Sequence, residues 1–344
     1  MENYSKLDKL LHKAVLGLPI LGESLFDIEK ALFLSKVDPA VGKKSVYVLG
    51  LARAGTTTLM RELYGSGDFA SLTYQDMPFV MAPNLWGMIA GANKKRTVTA
   101  ERAHGDGIFV DSDSPEALEE VFWKTFHASE YISEKELISH SPLRSSLDEF
   151  DRYQRLVCLR YGRSRYLSKN NNNILRIESL AGRFPDDCFF VMFRDPVTQA
   201  QSLMKQHQQF SGSPDFVRDY MAWLAHFEFG DNHRPFAFCN GFVPHGGSDS
   251  VEYWLSIWHE VYRHLLGIVK KRAYDNVRLV CYEALCAQPE YWGRICEAAE
   301  ISISSPVFRL AAQSEVDGID EALLKSVYSV YDEMVSLDSF TTRD

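Results

Sequence analysis

Three runs of β-branched and aromatic residues, Ser45–Leu49, Cys188–Phe193 and Val277–Tyr282, pass with hardly a polar residue between their ends. Strands this apolar at successive positions are buried on both faces, as in a parallel sheet covered on two sides. Each run is followed by a helical pattern. Trp258, Val261, Tyr262, Leu265, Leu266 and Val269 recur at the spacing of one helix face and predict a helix over Trp254–Val269. The same spacing at Leu7, Leu10, Leu11 and Val15, then at Leu25, Ile28 and Leu32, predicts that residues 1–40 are a helical extension packed on the outside. Strand–helix alternation predicts an α/β fold of three layers, a central parallel sheet flanked by helices.

Weaker signals fill the gaps. Ser71–Tyr74 reads as a further short strand, and Asn170–Asn173 as a turn or helix start. Ser114 and Pro115, with Glu116, Glu119 and Glu120 behind them, read as the cap, first-turn proline and acidic first turn of a helix. No internal repeat, low-complexity tract or long linker interrupts the chain, so residues 1–344 are expected to form one domain. Residues 77–165 and 204–249 match no strand–helix unit and read as insertions rich in aromatics, His and Gly.

Composition narrows the function classes. With 344 residues and 46% apolar content the chain can bury a full core. A formal charge of −9 argues against nucleic acid as a partner, because phosphate backbones are bound by Lys/Arg surfaces. An anionic ligand therefore needs a local basic pocket. Six cysteines are scattered without C-x-x-C pairing or zinc spacing, which predicts reduced, buried thiols and no metal site. The apolar stretch Ala14–Leu21 is short and broken by Gly17 and Pro19, so neither a signal peptide nor a membrane span is expected and the default location is the cytoplasm.

Chemistry is concentrated after the first strand. Gly50-Leu-Ala-Arg53-Ala54-Gly55-Thr56-Thr57-Thr58 leads into the helical pattern Leu59, Met60, Leu63, the setting of a P-loop-like phosphate cradle. Thr56 stands where a nucleoside-triphosphate loop carries lysine, which counts against an ATPase or kinase. Positive charge sits within the loop as Arg53, whose planar fork can bind two oxygens of one tetrahedral group. Arg194 ends the second long strand in Phe193-Arg194-Asp195-Pro196, and Ser202 follows eight residues later. Arg194 and Ser202 could converge on a second anion at the carboxyl edge of the sheet. Alone, the loop also reads as an ordinary strand-to-helix turn, and Arg194 as a charged strand exit; together they describe a ligand with two separated anionic groups.

These motifs resemble the sulfotransferase superfamily that uses 3′-phosphoadenosine 5′-phosphosulfate (PAPS), in the branch whose phosphosulfate loop reads R-[ST]-G-[ST]-T. Arg53–Thr58 is similar to that loop, and Phe193–Pro196 with Ser202 to the 3′-phosphate site. Phe184-Pro-Asp-Asp-Cys188 and Tyr282-Glu-Ala-Leu285 with Pro289 are also similar to family segments, so the resemblance runs from about residue 45 to 300. It implies that Arg53, Ala54, Gly55, Thr56, Thr57, Thr58, Arg194, Ser202 and Tyr282 hold PAPS, that adenosine 3′,5′-bisphosphate is the product, and that no metal takes part. Two departures stand out. Ala54 replaces a serine or threonine, and no C-terminal basic segment follows Tyr282 to close over the nucleotide.

Transfer to a hydroxyl needs a group that takes the acceptor's proton. Asp76, in Tyr74-Gln-Asp76-Met77-Pro78, is the first expectation, since it follows the short strand expected after the loop helix; a turn residue or cap is its alternative reading. His104, in His104-Gly-Asp106-Gly, is the second, on a glycine-flanked loop. Glu116 and Glu120 could reach a site, but a helix dipole would also account for them. No partner is evident for His140, His207 or His245. The insertions 77–165 and 204–249 are expected to form the acceptor cleft, with a carbohydrate or glycolipid hydroxyl preferred to other small molecules. A nucleotide kinase, or a relative that binds nucleotide or glycan without turnover, are the alternatives.

Overall fold

Alternate residues of the strand Val46–Leu49 enter two different cores, as a sheet covered on both faces requires. Val46 and Val48 join the cluster of Leu59, Met60 and Leu63 from the helix Thr56–Tyr64 and of Tyr291, Trp292 and Ile295 from the helix Pro289–Ala298. Tyr47 and Leu49 join Tyr153 and Val157 of the helix Arg144–Tyr161 and Trp258 and Tyr262 of the helix Val251–Lys270. Tyr47 stacks on Phe189, its partner across the ladder, at 4.4 Å and 6°. The computed structural model describes residues 5–90, 100–101, 109–110, 115–304, 306–310 and 318–341.

Five parallel strands lie in the order Phe69–Ala70, Arg165–Lys169, Val46–Leu49, Cys188–Phe193, Val277–Cys281. The three-layer α/β reading therefore holds. From the central strand Val46–Leu49 the chain runs to one edge, returns through Arg165–Lys169, and only then crosses to the other side. The crossover direction reverses at Val46–Leu49, so the loops leaving its carboxyl end and those of its two neighbours open onto one crevice. The expected N-terminal helices are Lys6–Gly17 and Pro19–Phe33, and Trp254–Val269 lies inside Val251–Lys270. Among the described residues no helix is long and apolar enough to cross a membrane. Cys158, Cys188, Cys281 and Cys296 are buried, but Cys239 is exposed, in the irregular stretch beyond the short strand Phe236–Ala237.

Three expectations are corrected. Ser71–Tyr74 is not a strand: pairing stops at Phe69–Ala70, and Tyr74–Asp76 is a 3-10 turn closed by Thr73. Pro115 does not open a helix. It forms an antiparallel bridge with Thr73, and the helix begins at Glu120. Glu119 and Glu120 are consequently not a solvated first turn but buried groups. Glu120 receives two 2.8 Å hydrogen bonds from the Arg176 guanidinium, which lies between the rings of Trp123 and Tyr131 at 4.7 and 4.9 Å. Glu119 accepts from Asn173 Nδ2 at 2.8 Å and from the Tyr166 hydroxyl at 3.0 Å. The third correction is the strand Arg165–Lys169 itself, next to the centre of the sheet, which was not predicted from the sequence and of which only Arg165 fell within the expected insertion 77–165.

Candidate active site

The loop after Val46–Leu49 holds three residues at positive φ, Gly50 at 145°, Arg53 at 68° and Gly55 at 94°. For a side chain like that of Arg53 this conformation costs about 1–3 kcal/mol and is kept where the surroundings over-determine it. Gly55 has a second reason. A Cβ there would meet the Tyr282 ring at 2.5 Å, so Tyr282 packs directly on the loop backbone. Gly55 is also the N-cap of the helix Thr56–Tyr64 and offers no side chain to its first N–H groups, which leaves that end suited to an anion. Ala54 is fully buried in the core beneath the loop with Leu59 and Met60, so an apolar side chain suits its place.

Arg194 leaves the end of Cys188–Phe193, where Asp195 caps the helix Pro196–Phe210 by accepting from Thr198 N–H at 2.8 Å. The Arg194 guanidinium lies 5.3 Å from the centre of the Tyr282 ring. Its Nε is buried without a hydrogen-bond acceptor among the described residues, Glu283 Oε1 being 3.7 Å away. Ser202, two turns into the same helix, accepts from Arg53 Nε at 3.0 Å. The two motifs expected to bind anions thus meet, side by side and sharing Tyr282.

They face one cavity of about 280 Å³, walled by Arg53, Gly55, Thr56, Thr57, Thr58, Arg194 and Tyr282 of the expected set. Ser202 contributes through Arg53, and Ala54 through the backbone of the loop. The wall also contains residues not named individually as site residues from the sequence. Lys169 and Asn171 follow from the unrecognised strand Arg165–Lys169; Met221, His226, Glu228 and Phe229 come from the 204–249 segment. Arg309 arrives from a stretch with no motif, its main-chain carbonyl accepting from the Tyr282 hydroxyl at 3.0 Å. Four cationic side chains, Arg53, Lys169, Arg194 and Arg309, oppose the carboxylates Glu116 and Glu228 in this wall. A chain of charge −9 thereby carries the local basic pocket that an anionic ligand needs.

Asp76 is elsewhere. It has no exposed surface and is not part of the cavity wall. Its Oδ2 accepts from Thr73 N–H at 2.9 Å and from the Tyr161 hydroxyl at 2.6 Å, which closes the Tyr74–Asp76 turn. Burial holds its carboxyl above the usual range, opposed by those two hydrogen bonds and by Arg160. His104 lies outside the described residues. His140 is buried against Tyr131, ring centres 5.0 Å apart, and burial, followed by Arg176 and His127, pushes it down to about 3. His207 Nδ1 accepts from Gly230 N–H, and the His245 N–H donates to Ser256 Oγ.

One of the two carboxylates in the wall is Glu116. Its Oε2 accepts from the Tyr74 hydroxyl at 2.7 Å and its Oε1 from Ala117 N–H at 2.9 Å. Its own N–H donates to Leu72 O at 3.0 Å, beside the Thr73–Pro115 bridge. In the sequence Glu116 reads as able to reach a site but is also accounted for by a helix dipole, and no helix starts there.

Sulfotransferase STF1 from Mycobacterium tuberculosis H37Rv is similar in structure at 15% sequence identity and a TM-score of 0.53, over 97% of this chain and 87% of its own. Sulfotransferase STF9 from Mycobacterium avium is similar at 14% identity and a TM-score of 0.57, over 98% and 87%. At such identities the likeness speaks for the fold. No curated protein sequence matches significantly. The model of the sulfotransferase family matches residues 45–239, more than half of the chain, from just before the central strand past Arg53, Arg194 and Ser202. This chain therefore belongs to the sulfotransferase family.

Proposed function

We propose that the protein transfers a sulfuryl group from PAPS to a hydroxyl of a carbohydrate or glycolipid by in-line displacement, a carboxylate taking the hydroxyl proton. The observation that carries this reading is the hydrogen bond from Arg53 Nε to Ser202 Oγ, which joins the loop to the helix behind Arg194. The loop N–H groups and Arg53 would receive the 5′-phosphosulfate and stabilise charge on the departing bridging oxygen. Arg194, whose buried Nε has no hydrogen-bond acceptor among the described residues, and Ser202 would receive the 3′-phosphate. Arg309, whose carbonyl accepts from the Tyr282 hydroxyl, would close over the nucleotide in place of the missing C-terminal basic segment. Glu116, Lys169, Asn171 and Glu228 offer hydrogen bonds to several hydroxyls, and Phe229 a face for a sugar ring, which supports a carbohydrate acceptor.

A nucleotide kinase is disfavoured by Thr56, which lines the cavity where a lysine would serve the β- and γ-phosphates. Thermal shifts with adenosine 3′,5′-bisphosphate and with ATP-Mg²⁺ test the choice. Bisphosphate at 100 times its dissociation constant should add about 2.7 kcal/mol. Stabilisation by ATP-Mg²⁺ alone would sink the reading, and label transfer from ³⁵S-PAPS to a panel of glycosides separates an enzyme from a binder.

A further inference from the structure

Resting on the sulfuryl-transfer reading, we infer that Glu116 is the general base, and that Asp76 acts only by positioning Tyr74, which orients it. A base must reach the proton it abstracts. Glu116 shares a cavity wall with Arg53, Thr56, Thr57 and Thr58, whereas Asp76 is sealed from that cavity.

The pieces form one relay of positions. Asp76 closes the turn Tyr74–Asp76 from inside by accepting the Thr73 N–H, and Tyr161 holds the same oxygen. The turn presents the Tyr74 hydroxyl to Glu116 Oε2, while Ala117 N–H fixes Oε1. The backbone of Glu116 is in turn pinned to Leu72, beside a bridged pair. Its carboxylate is thus held by hydrogen bonds at both oxygens and from behind, as a base working in a defined geometry should be. Glu228, the other carboxylate in the wall, accepts at Oε1 from Asn171 Nδ2 at 3.1 Å. In the step assigned to Glu116, the acceptor oxygen bonds to sulfur as the bond from sulfur to the bridging phosphate oxygen breaks. The hydroxyl proton passes to the Glu116 carboxylate, and adenosine 3′,5′-bisphosphate leaves with the bridging electron pair.

The test follows ³⁵S-PAPS turnover, to water and to a panel of glycosides and alcohols, across pH, with bisphosphate binding measured by calorimetry. Wild type should show a limb rising with pH as the base ionises. Glu116→Gln should lower kcat by about 10²–10⁴-fold, erase the limb and leave bisphosphate affinity intact. Tyr74→Phe withdraws a hydrogen bond from the ionised carboxylate, so its limb should move to higher pH. A Glu116→Gln protein that keeps both rate and limb, a limb unmoved by Tyr74→Phe, or a limb erased instead by Asp76→Asn or Glu228→Gln would overturn the assignment. Wild type that neither binds the bisphosphate nor turns over PAPS would remove the underlying sulfotransfer reading instead.

Discussion

Arg53 donates from Nε to Ser202 Oγ across 3.0 Å, a contact between residues 149 positions apart. One belongs to the loop that leaves the central strand and the other to the helix that follows its neighbour. The bond fixes the guanidinium of a residue already held at φ 68°. Its remaining N–H groups are directed by that anchor and not by the flexible stem.

Removing the anchor tests its value. Ser202→Ala should weaken adenosine 3′,5′-bisphosphate about tenfold, the scale of one hydrogen bond to a charged group. Arg53→Lys should cost more, because lysine replaces the fork with a point charge that cannot satisfy Ser202 and an anion together. Titration calorimetry reads both; equal affinities in wild type and Ser202→Ala would show the anchor to be idle.

Gly55→Ala should be worse than either for its size. The new methyl meets the Tyr282 ring at 2.5 Å from a backbone that alanine resists at φ 94°. Displacing that ring disturbs the surface beneath Arg194 and the carbonyl contact to Arg309. A loss of about 1–3 kcal/mol in stability, with bisphosphate binding abolished, is expected in melting and binding measurements.

The contrast between these residues and Glu116 shows what was legible beforehand. The strands Cys188–Phe193 and Val46–Leu49 read clearly because all their positions are buried, so an apolar run marks them and the motifs at their ends. The strand Arg165–Lys169 did not, because its ends do other work. Arg165 reaches the carbonyls of Lys44, Ala299 and Glu300, and Lys169 faces the cavity, which leaves Tyr166 and Leu167 as its apolar part. Losing that strand hid Lys169 and Asn171. The carboxylates failed for a different reason. Local chemistry marked Asp76 and Glu116 alike, and which of two acids turns to a cavity is decided by the pairing of Thr73 with Pro115, 42 residues away.

The buried pair Glu120–Arg176 offers a stability prediction independent of function. Glu120→Gln leaves the Arg176 guanidinium charged and enclosed between Trp123 and Tyr131. Breaking such a pair costs about 3–5 kcal/mol, while replacing both members by apolar residues of similar volume costs less. Denaturant unfolding of Glu120→Gln against the double variant Glu120→Leu with Arg176→Met checks the ordering.

Asp187 makes stability depend on pH. Its Oδ1 accepts from Ser45 N–H at 2.9 Å, but burial raises its carboxyl to about 7, from 3.8. The folded state therefore holds a proton that the unfolded chain has released, so stability should fall as pH rises from about 4 to 7 and level off above. Asp187→Asn keeps an acceptor for Ser45 and cannot ionise. Its melting temperature should drop less than that of wild type between pH 5 and pH 8; parallel curves would show that Asp187 ionises normally.

Arg309 is the wall residue most easily tested without harm to the fold, since its side chain is exposed. It stands outside residues 45–239, so nothing in the family match requires it. Its place depends on the Tyr282 hydroxyl holding its carbonyl and on Phe308 packing against Trp292 at 5.6 Å. If it closes over the nucleotide, Arg309→Ala should weaken bisphosphate binding about 10–100-fold, as loss of a charge-assisted contact does, with no change in melting temperature of the free protein. Tyr282→Phe should reproduce part of that loss by releasing the carbonyl while keeping the ring under Arg194. Binding in Arg309→Ala equal to wild type would leave the closing role to residues elsewhere in the wall, with Lys169 the next cation to substitute.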